Sequence, residues 1–284
     1  MEQRSGMVEK RGMGLWLTHG FMITGVLIIF FPIWLAFVAS TVTQPEIVSP
    51  PMPLLPGGHF WENYKTALLS GVNVPVATML MNSLIMAIGI AVGKIIISLL
   101  SAFAIVYFRF PGRTIFFWMI FLTLMLPVEV RILPTFEVVA GFGMLNSYSG
   151  LIFPLIASAT ATFLFRQFFL TIPDELAEAA RVDGAQPMRF FIDIVLPMSR
   201  TNIAALFVIL FIYGWNQYLW PLLITTDSDM TTIVVSIKQM LEAAEQSPQW
   251  NIIMMTAMLA MVPPILVVIA MQKLFVQGLT ETDK

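Results

Sequence analysis

Five stretches of this chain run for at least 26 residues without a single Asp, Glu, Lys or Arg: Gly12 to Pro45, Thr66 to Gly93, Val138 to Phe165, Thr201 to Thr226 and Gln246 to Gln272. A helix crosses about 30 Å of hydrocarbon in roughly 20 residues, and a charge at the bilayer centre is expensive. Each stretch is therefore long enough to span a membrane. Only 11% of the 284 residues are charged and 58% are hydrophobic, whereas a soluble domain carries about 25% charged residues. An all-α, polytopic membrane protein is the expected fold class.

The apolar runs predict six spans, near Leu15 to Val38, Met79 to Phe108, Ile115 to Leu133, Gly150 to Phe169, Asn202 to Leu223 and Ile252 to Leu274. Two depart from a plain apolar helix. Lys94 lies inside the second, and the third has a charge-free core of only Thr114 to Val128. If the six alternate, Arg4, Lys10, Arg11, Arg109, Arg113, Arg166, Arg181, Arg189, Arg200, Lys273 and Lys284 share one side. Lys65, Arg131 and Lys238 lie opposite, so the positive-inside tendency puts both termini in the cytoplasm. The organisation expected is a cytoplasmic segment over 1–14, a transmembrane domain over 15–274 with one large cytoplasmic loop near 170–200, and a tail over 275–284. The first apolar run is too long for the 7 to 15 residues of a signal-peptide core and reads as a retained span. The outer loop after it is rich in proline and leads to an amphipathic stretch around Phe60 to Leu69.

Several chemistries are excluded early. The absence of cysteine removes thiol nucleophiles, disulfides and cysteine metal sites. His19 and His59 lack any metal-ligand spacing, and a net charge of -2 gives no footprint for nucleic acid. An intramembrane hydrolase would lack a histidine partner for its serine. A secondary transporter would be expected to show paired halves, and none is visible.

The inward loop carries the most information. Pro173 suits a first helical position, and Asp174 and Glu175 place negative charge at the positive end of a helix dipole. Leu176, Ala179 and Ala180 fall on one face, Gly184 is placed to end the helix in a left-handed conformation, and Pro187 restarts another. The second helix carries Phe190, Phe191, Ile194 and Val195 before Pro197 stops it. Helix, elbow, helix makes either a surface hairpin or a compact knob suited to a groove in another protein.

Glu178-Ala179-Ala180, Asp183-Gly184-Ala185 and Ile194-Val195-Leu196-Pro197 resemble the EAA loop of ABC importer permeases. Beyond the loop, Ser101 to Pro111, Leu124 to Pro134, Ser158 to Gln167 and Tyr213 to Leu223 are similar to the carbohydrate-uptake group of that family, and most of all to its sn-glycerol-3-phosphate branch. The resemblance implies a subunit that forms half of a path for sn-glycerol 3-phosphate or glycerophosphodiesters, with a sugar or oligosaccharide as the alternative. It implies a bacterial inner membrane, a second, paralogous permease chain, a dimer of ATPase subunits that uses ATP and Mg, and a periplasmic substrate-binding protein. This chain itself would bind no cofactor and hydrolyse nothing. Glu178, Ala179, Ala180, Asp183 and Gly184 would couple it to the ATPase.

Four polar residues are candidates for the path. Lys94 shares a face with Ala87, Ala91, Ser98 and Ser101, beside Gly89 and Gly93 at GxxxG spacing. It reads equally as a contact to a phosphate-bearing substrate or as a bond to carbonyls or an acid of a partner helix. Gly93-Lys94 is not a nucleotide loop, because Gly89 is one position too close and Ile95 replaces Ser or Thr. Arg131, between Pro127 and Pro134, suits bidentate phosphate contact, or a pair with Glu129 or Glu137, or an outer surface. Asn216 and Gln217 line the path or bond between helices, among aromatics that also suit an interface belt. The outward loops hold three basic residues against eight acidic ones, which speaks against long-range steering of an anion.

Overall fold

A computed structural model of the chain describes residues 13–69, 74–123, 128–243 and 249–281. Arg4, Lys10, Arg11, Glu245 and Lys284 lie outside them, as does nearly all of the expected N-terminal segment. Every regular element among the described residues is helical. In chain order, α1 is Met13–Thr41, α2 Gln44–Val48, α3 Phe60–Leu69, α4 Val76–Tyr107, α5 Arg113–Leu122 and α6 Val128–Gly141. Then come α7 Tyr148–Ile152, α8 Ala159–Phe169, α9 Asp174–Val182, α10 Pro187–Phe190, α11 Leu196–Met198, α12 Arg200–Trp215, α13 Leu219–Ile224, α14 Ile233–Ala243 and α15 Trp250–Glu281.

Three helices are long and apolar enough to cross a membrane unbroken, α1 from Leu15, α4, and α15 as far as Gln272, and two bent pairs bring the total to five. The expected third span falls on α5 and α6, and residues 124–127 between them lie outside the described ones. The 10-residue α5 rises only about 15 Å, and α6 runs as one helix through Pro134. The expected fourth span is bent by 50°. A 3-10 turn over Phe153–Leu155 contains Pro154, and Ser158 restarts the chain as α8 by accepting the Ala161 N–H at 3.2 Å. The expected fifth ends as α12 at Trp215 and resumes as α13. The last helix continues to Glu281, past the expected end at Leu274, and stays one helix through Pro263 and Pro264.

At the centre stands α4, packed between α8 and α12, while α15 lies against α1 and α12. Small residues permit these approaches. A Cβ on Gly214 of α12 would stand 2.9 Å from the Ala87 Cα of α4. One on Gly89 would meet Ile152 at 2.6 Å, and one on Gly93 would meet Ile156 at 2.5 Å. The GxxxG pair therefore seats the α7–α8 bend within this chain rather than a partner helix. A buried polar seam locks the opposite end of α4: Asn82 donates to the Asp229 and Thr231 carbonyls and accepts from the Tyr148 hydroxyl, and Ser83 accepts the Ile233 N–H.

Candidate functional site

The loop between α8 and α12 folds as two arms about a glycine. α9 begins one residue later than its proline suggests, with Pro173 as N-cap and Asp174 and Glu175 in the first turn. It ends in a Schellman motif, in which Ala185 N–H bonds the Ala180 carbonyl at 2.9 Å and Gly184 N–H bonds that of Arg181 at 3.0 Å. Gly184 takes φ +72°, the left-handed value this turn requires. The second arm runs through Pro197 as α10, a π segment over Phe191–Val195, and α11, until Ser199 turns it by 72° into α12. Proline cannot donate and crowds the carbonyl four residues back, and the wider π turn ahead of Pro197 accommodates it.

The inner face of α9 is Leu176, Ala177 and the buried Ala180. The expected face had Ala179 in place of Ala177; Ala179 points outward with Glu178 and Asp183. Val182, 88% exposed, and Met188 add apolar surface to the outside of the elbow. What holds the knob is an aromatic cluster at the end of α4. Phe191 packs on Phe103 with centroids 4.8 Å apart, and Phe190 meets Tyr107 edge-on at 5.2 Å. Tyr107 also donates to the Phe169 carbonyl at 3.4 Å, so one turn of α4 touches both the elbow and α8. The i, i+4 spacing of Phe103 and Tyr107 was the available signal for this anchor, and it does not stand out in so apolar a run.

A second site lies in the middle of the bundle. Lys94 is 18 residues into α4, and only 6% of it is exposed. Its Nζ sits 3.7 Å from the centre of the Tyr213 ring of α12, a cation–π contact that partly replaces water around the ammonium. Lys94 and Tyr213 line a cavity of about 80 Å³ together with Arg131 and Thr135 of α6, Pro154 and Trp220. That is room for several waters. Arg131 is exposed and, among the described residues, forms no ion pair with Glu137. Two cations thus face one hollow from different helices, with no acidic side chain among its described lining residues.

The other two candidates do not line that cavity. Asn216 is the exposed C-cap of α12, and Gln217 donates to the Tyr213 carbonyl of its own helix at 3.1 Å. Trp215 and Trp220 are not belt residues: both are buried, and Trp220 donates to the Gly150 carbonyl. No group of His, Cys, Asp or Glu able to hold a metal occurs among the described residues.

Residues 94–281 match the model of the family described as binding-protein-dependent transport system inner membrane component. Over its whole length the chain is similar to curated relatives named sn-glycerol-3-phosphate transport system permease protein UgpE. It is 59% identical to that of Brucella melitensis biotype 1 and 57% identical to that of Pectobacterium atrosepticum, in each case over 98% of this chain and 100% of the relative. Among solved structures, a bacterial ABC transporter involved in import of the acidic polysaccharide alginate superposes with a TM-score of 0.78. The match covers 96% of this chain and 98% of that one at 20% identity, which is a likeness of fold. A helical bundle with an elbow at one end of its central span, matched to that family over two thirds of its length, belongs to the binding-protein-dependent transport system inner membrane components: the chain is an ABC importer permease.

Proposed function

We propose that this permease forms half of the path by which an ABC importer admits sn-glycerol 3-phosphate or glycerophosphodiesters. The observation that carries the reading is the 59% identity, over the entire relative, to a permease named for that substrate. The second half of the path is a paralogous permease chain, a periplasmic binding protein delivers the solute, and a dimer of ATPase subunits hydrolyses ATP with Mg. The basic residues concentrated around the elbow support an orientation with both termini and the elbow in the cytoplasm.

The elbow seats in the ATPase. Glu178, Ala179 and Asp183 face out toward it, Gly184 sets the angle between the arms, and Ala180 holds the knob against α4. Closure of the ATPase dimer is passed through Phe190 and Phe191 to Phe103 and Tyr107, and so to the central span. Lys94 and Arg131 supply positive charge for a phosphate at mid-membrane, where a guanidinium offers paired donors. Tyr213 keeps the ammonium partnered while the cavity is empty. Asn216 and Gln217 serve the path at the end of α12, outside this cavity.

The test is uptake of labelled glycerol 3-phosphate and of a labelled disaccharide by cells with and without this chain, its gene neighbours intact. Loss of phosphate-ester uptake alone is expected. Loss of disaccharide uptake alone would keep the importer and discard the phosphate.

A further inference from the structure

On the elbow side of the bundle, beyond the elbow itself, a cavity of about 120 Å³ opens between the start of α5, the end of α4 and the end of α8. Arg113 and Arg166 both line it, with Thr114, Phe117, Val106 and Leu170. The two guanidiniums come from different helices, and no carboxylate lies among the described lining residues. Among the described residues neither arginine forms an ion pair. The Arg166 guanidinium lies over the Phe117 ring, 4.4 Å from its centre, and its Nε is buried without an acceptor. A buried donor left without an acceptor is costly, and an anion in this hollow would relieve that cost. The first N–H groups of the 10-residue α5 add to the positive potential there.

The surroundings narrow the anion. Just past the cavity α5 turns Ile115, Phe116, Trp118 and Met119 outward, each more than half exposed, and Leu170 is exposed at the end of α8. A ligand with a phosphate at one end and long apolar chains at the other matches both features. A free phosphate or a soluble ester matches only the arginines. We infer that Arg113 and Arg166 bind the phosphate of an anionic phospholipid headgroup, with its acyl chains lying along α5. Two unbalanced guanidiniums favour phosphatidylglycerol or cardiolipin over phosphatidylethanolamine, whose ammonium would be repelled. The inference rests on the placement of the bundle in a membrane and is independent of the imported solute.

The experiment is native mass spectrometry of the assembled importer in mild detergent, titrated separately with phosphatidylglycerol and phosphatidylethanolamine, for the natural chain, Arg113→Gln, Arg166→Gln and Arg166→Lys. Each Gln substitution is expected to weaken phosphatidylglycerol retention by about fivefold, while Arg166→Lys retains most of it and phosphatidylethanolamine is unaffected. Equal retention by the natural chain and Arg113→Gln, whose exposed side chain no packing depends on, would overturn the site. Displacement of the lipid by millimolar inorganic phosphate would overturn the headgroup assignment in favour of a free-ion site. No preference for phosphatidylglycerol in the natural assembly, together with loss of the partner permease from Arg166→Gln, would reassign the arginines to a carboxylate of that partner. Glycerol 3-phosphate uptake, measured alongside, separates failure of the lipid site from failure of the proposed function.

Discussion

At Gly184 nothing stands within 4 Å of where a Cβ would be, so a side chain there is opposed by the backbone and not by crowding. A β-branched residue at φ +72° costs about 1–3 kcal/mol, which a marginal elbow relieves by opening its angle. Gly184→Val is expected to leave the chain in the membrane and to leave ATP hydrolysis running while substrate uptake falls; unchanged, coupled uptake would remove the elbow from the mechanism. Arg131 allows a parallel test at the cavity. One charge-assisted bond to a phosphate contributes about 1.5–3 kcal/mol, so Arg131→Met should cut glycerol 3-phosphate uptake at low concentration by about tenfold or more. Its exposed position means that assembly, read by co-purification of the partner subunits, should persist, and a proportional loss of assembly would mark Arg131 as structural. Residues that break an apolar pattern were legible in this way: a glycine between two helical arms, a lysine inside a span, an arginine between prolines. Tyr213 was not, because an aromatic ring near the end of a span has the same signature whether it faces a headgroup or an ammonium. Nor was the bond by which Gln217 Nε2 donates to the Tyr213 carbonyl of its own helix, which leaves no mark in the sequence.

Helices in this bundle meet where side chains are missing. Gly93 is one case, since a Cβ there would stand 2.5 Å from Ile156 Cγ2 and 3.0 Å from its Cβ. Gly93→Val is expected to lower the thermal midpoint of the detergent-purified importer, an overpacking cost of about 1–3 kcal/mol. Ile156→Ala in the same chain should recover part of the loss, and failure of that rescue would place the pressure on a partner helix instead. The same pair shows what the charge-free stretches could report. They measure how much chain fits within hydrocarbon, so the positions of α4 and α15 follow closely, but they carry no statement about continuity. The bend within α7–α8 falls at Pro154 and the Ser158 cap, and a proline in an apolar run marks where a helix can kink without fixing the angle. The aromatic anchor of the elbow was hidden for a related reason. Phe103 and Tyr107 become a contact only when the chain returns 87 residues later with Phe190 and Phe191, and local periodicity does not hold that information.

Across the whole molecule the distribution of burial is uneven. α4 is buried along most of its length, whereas α1 from Leu17 to Phe31 presents nearly all of its large apolar side chains outward. Such a helix is at home in lipid or against a second subunit, and a chain with one packed core and one unpacked span is built to be part of an assembly. Its orientation in the membrane rests on charge asymmetry, and the composition offers a clean way to test it. With no cysteine in the sequence, a single introduced thiol is the only one this chain can report. Val182→Cys sits on the outer side of the elbow, and Trp61→Cys on α3, both more than four-fifths exposed and neither in a packed core. An impermeant maleimide should label Val182→Cys only in inside-out vesicles and Trp61→Cys only in right-side-out ones. If the elbow is the seat of the ATPase, adding that subunit should protect Val182→Cys and leave Trp61→Cys untouched. Labelling of both positions from one side would overturn the topology, because α1 and α4 would then fail to place α3 and the elbow on opposite faces. Correct sidedness without protection would keep the topology and move the docking surface off the elbow.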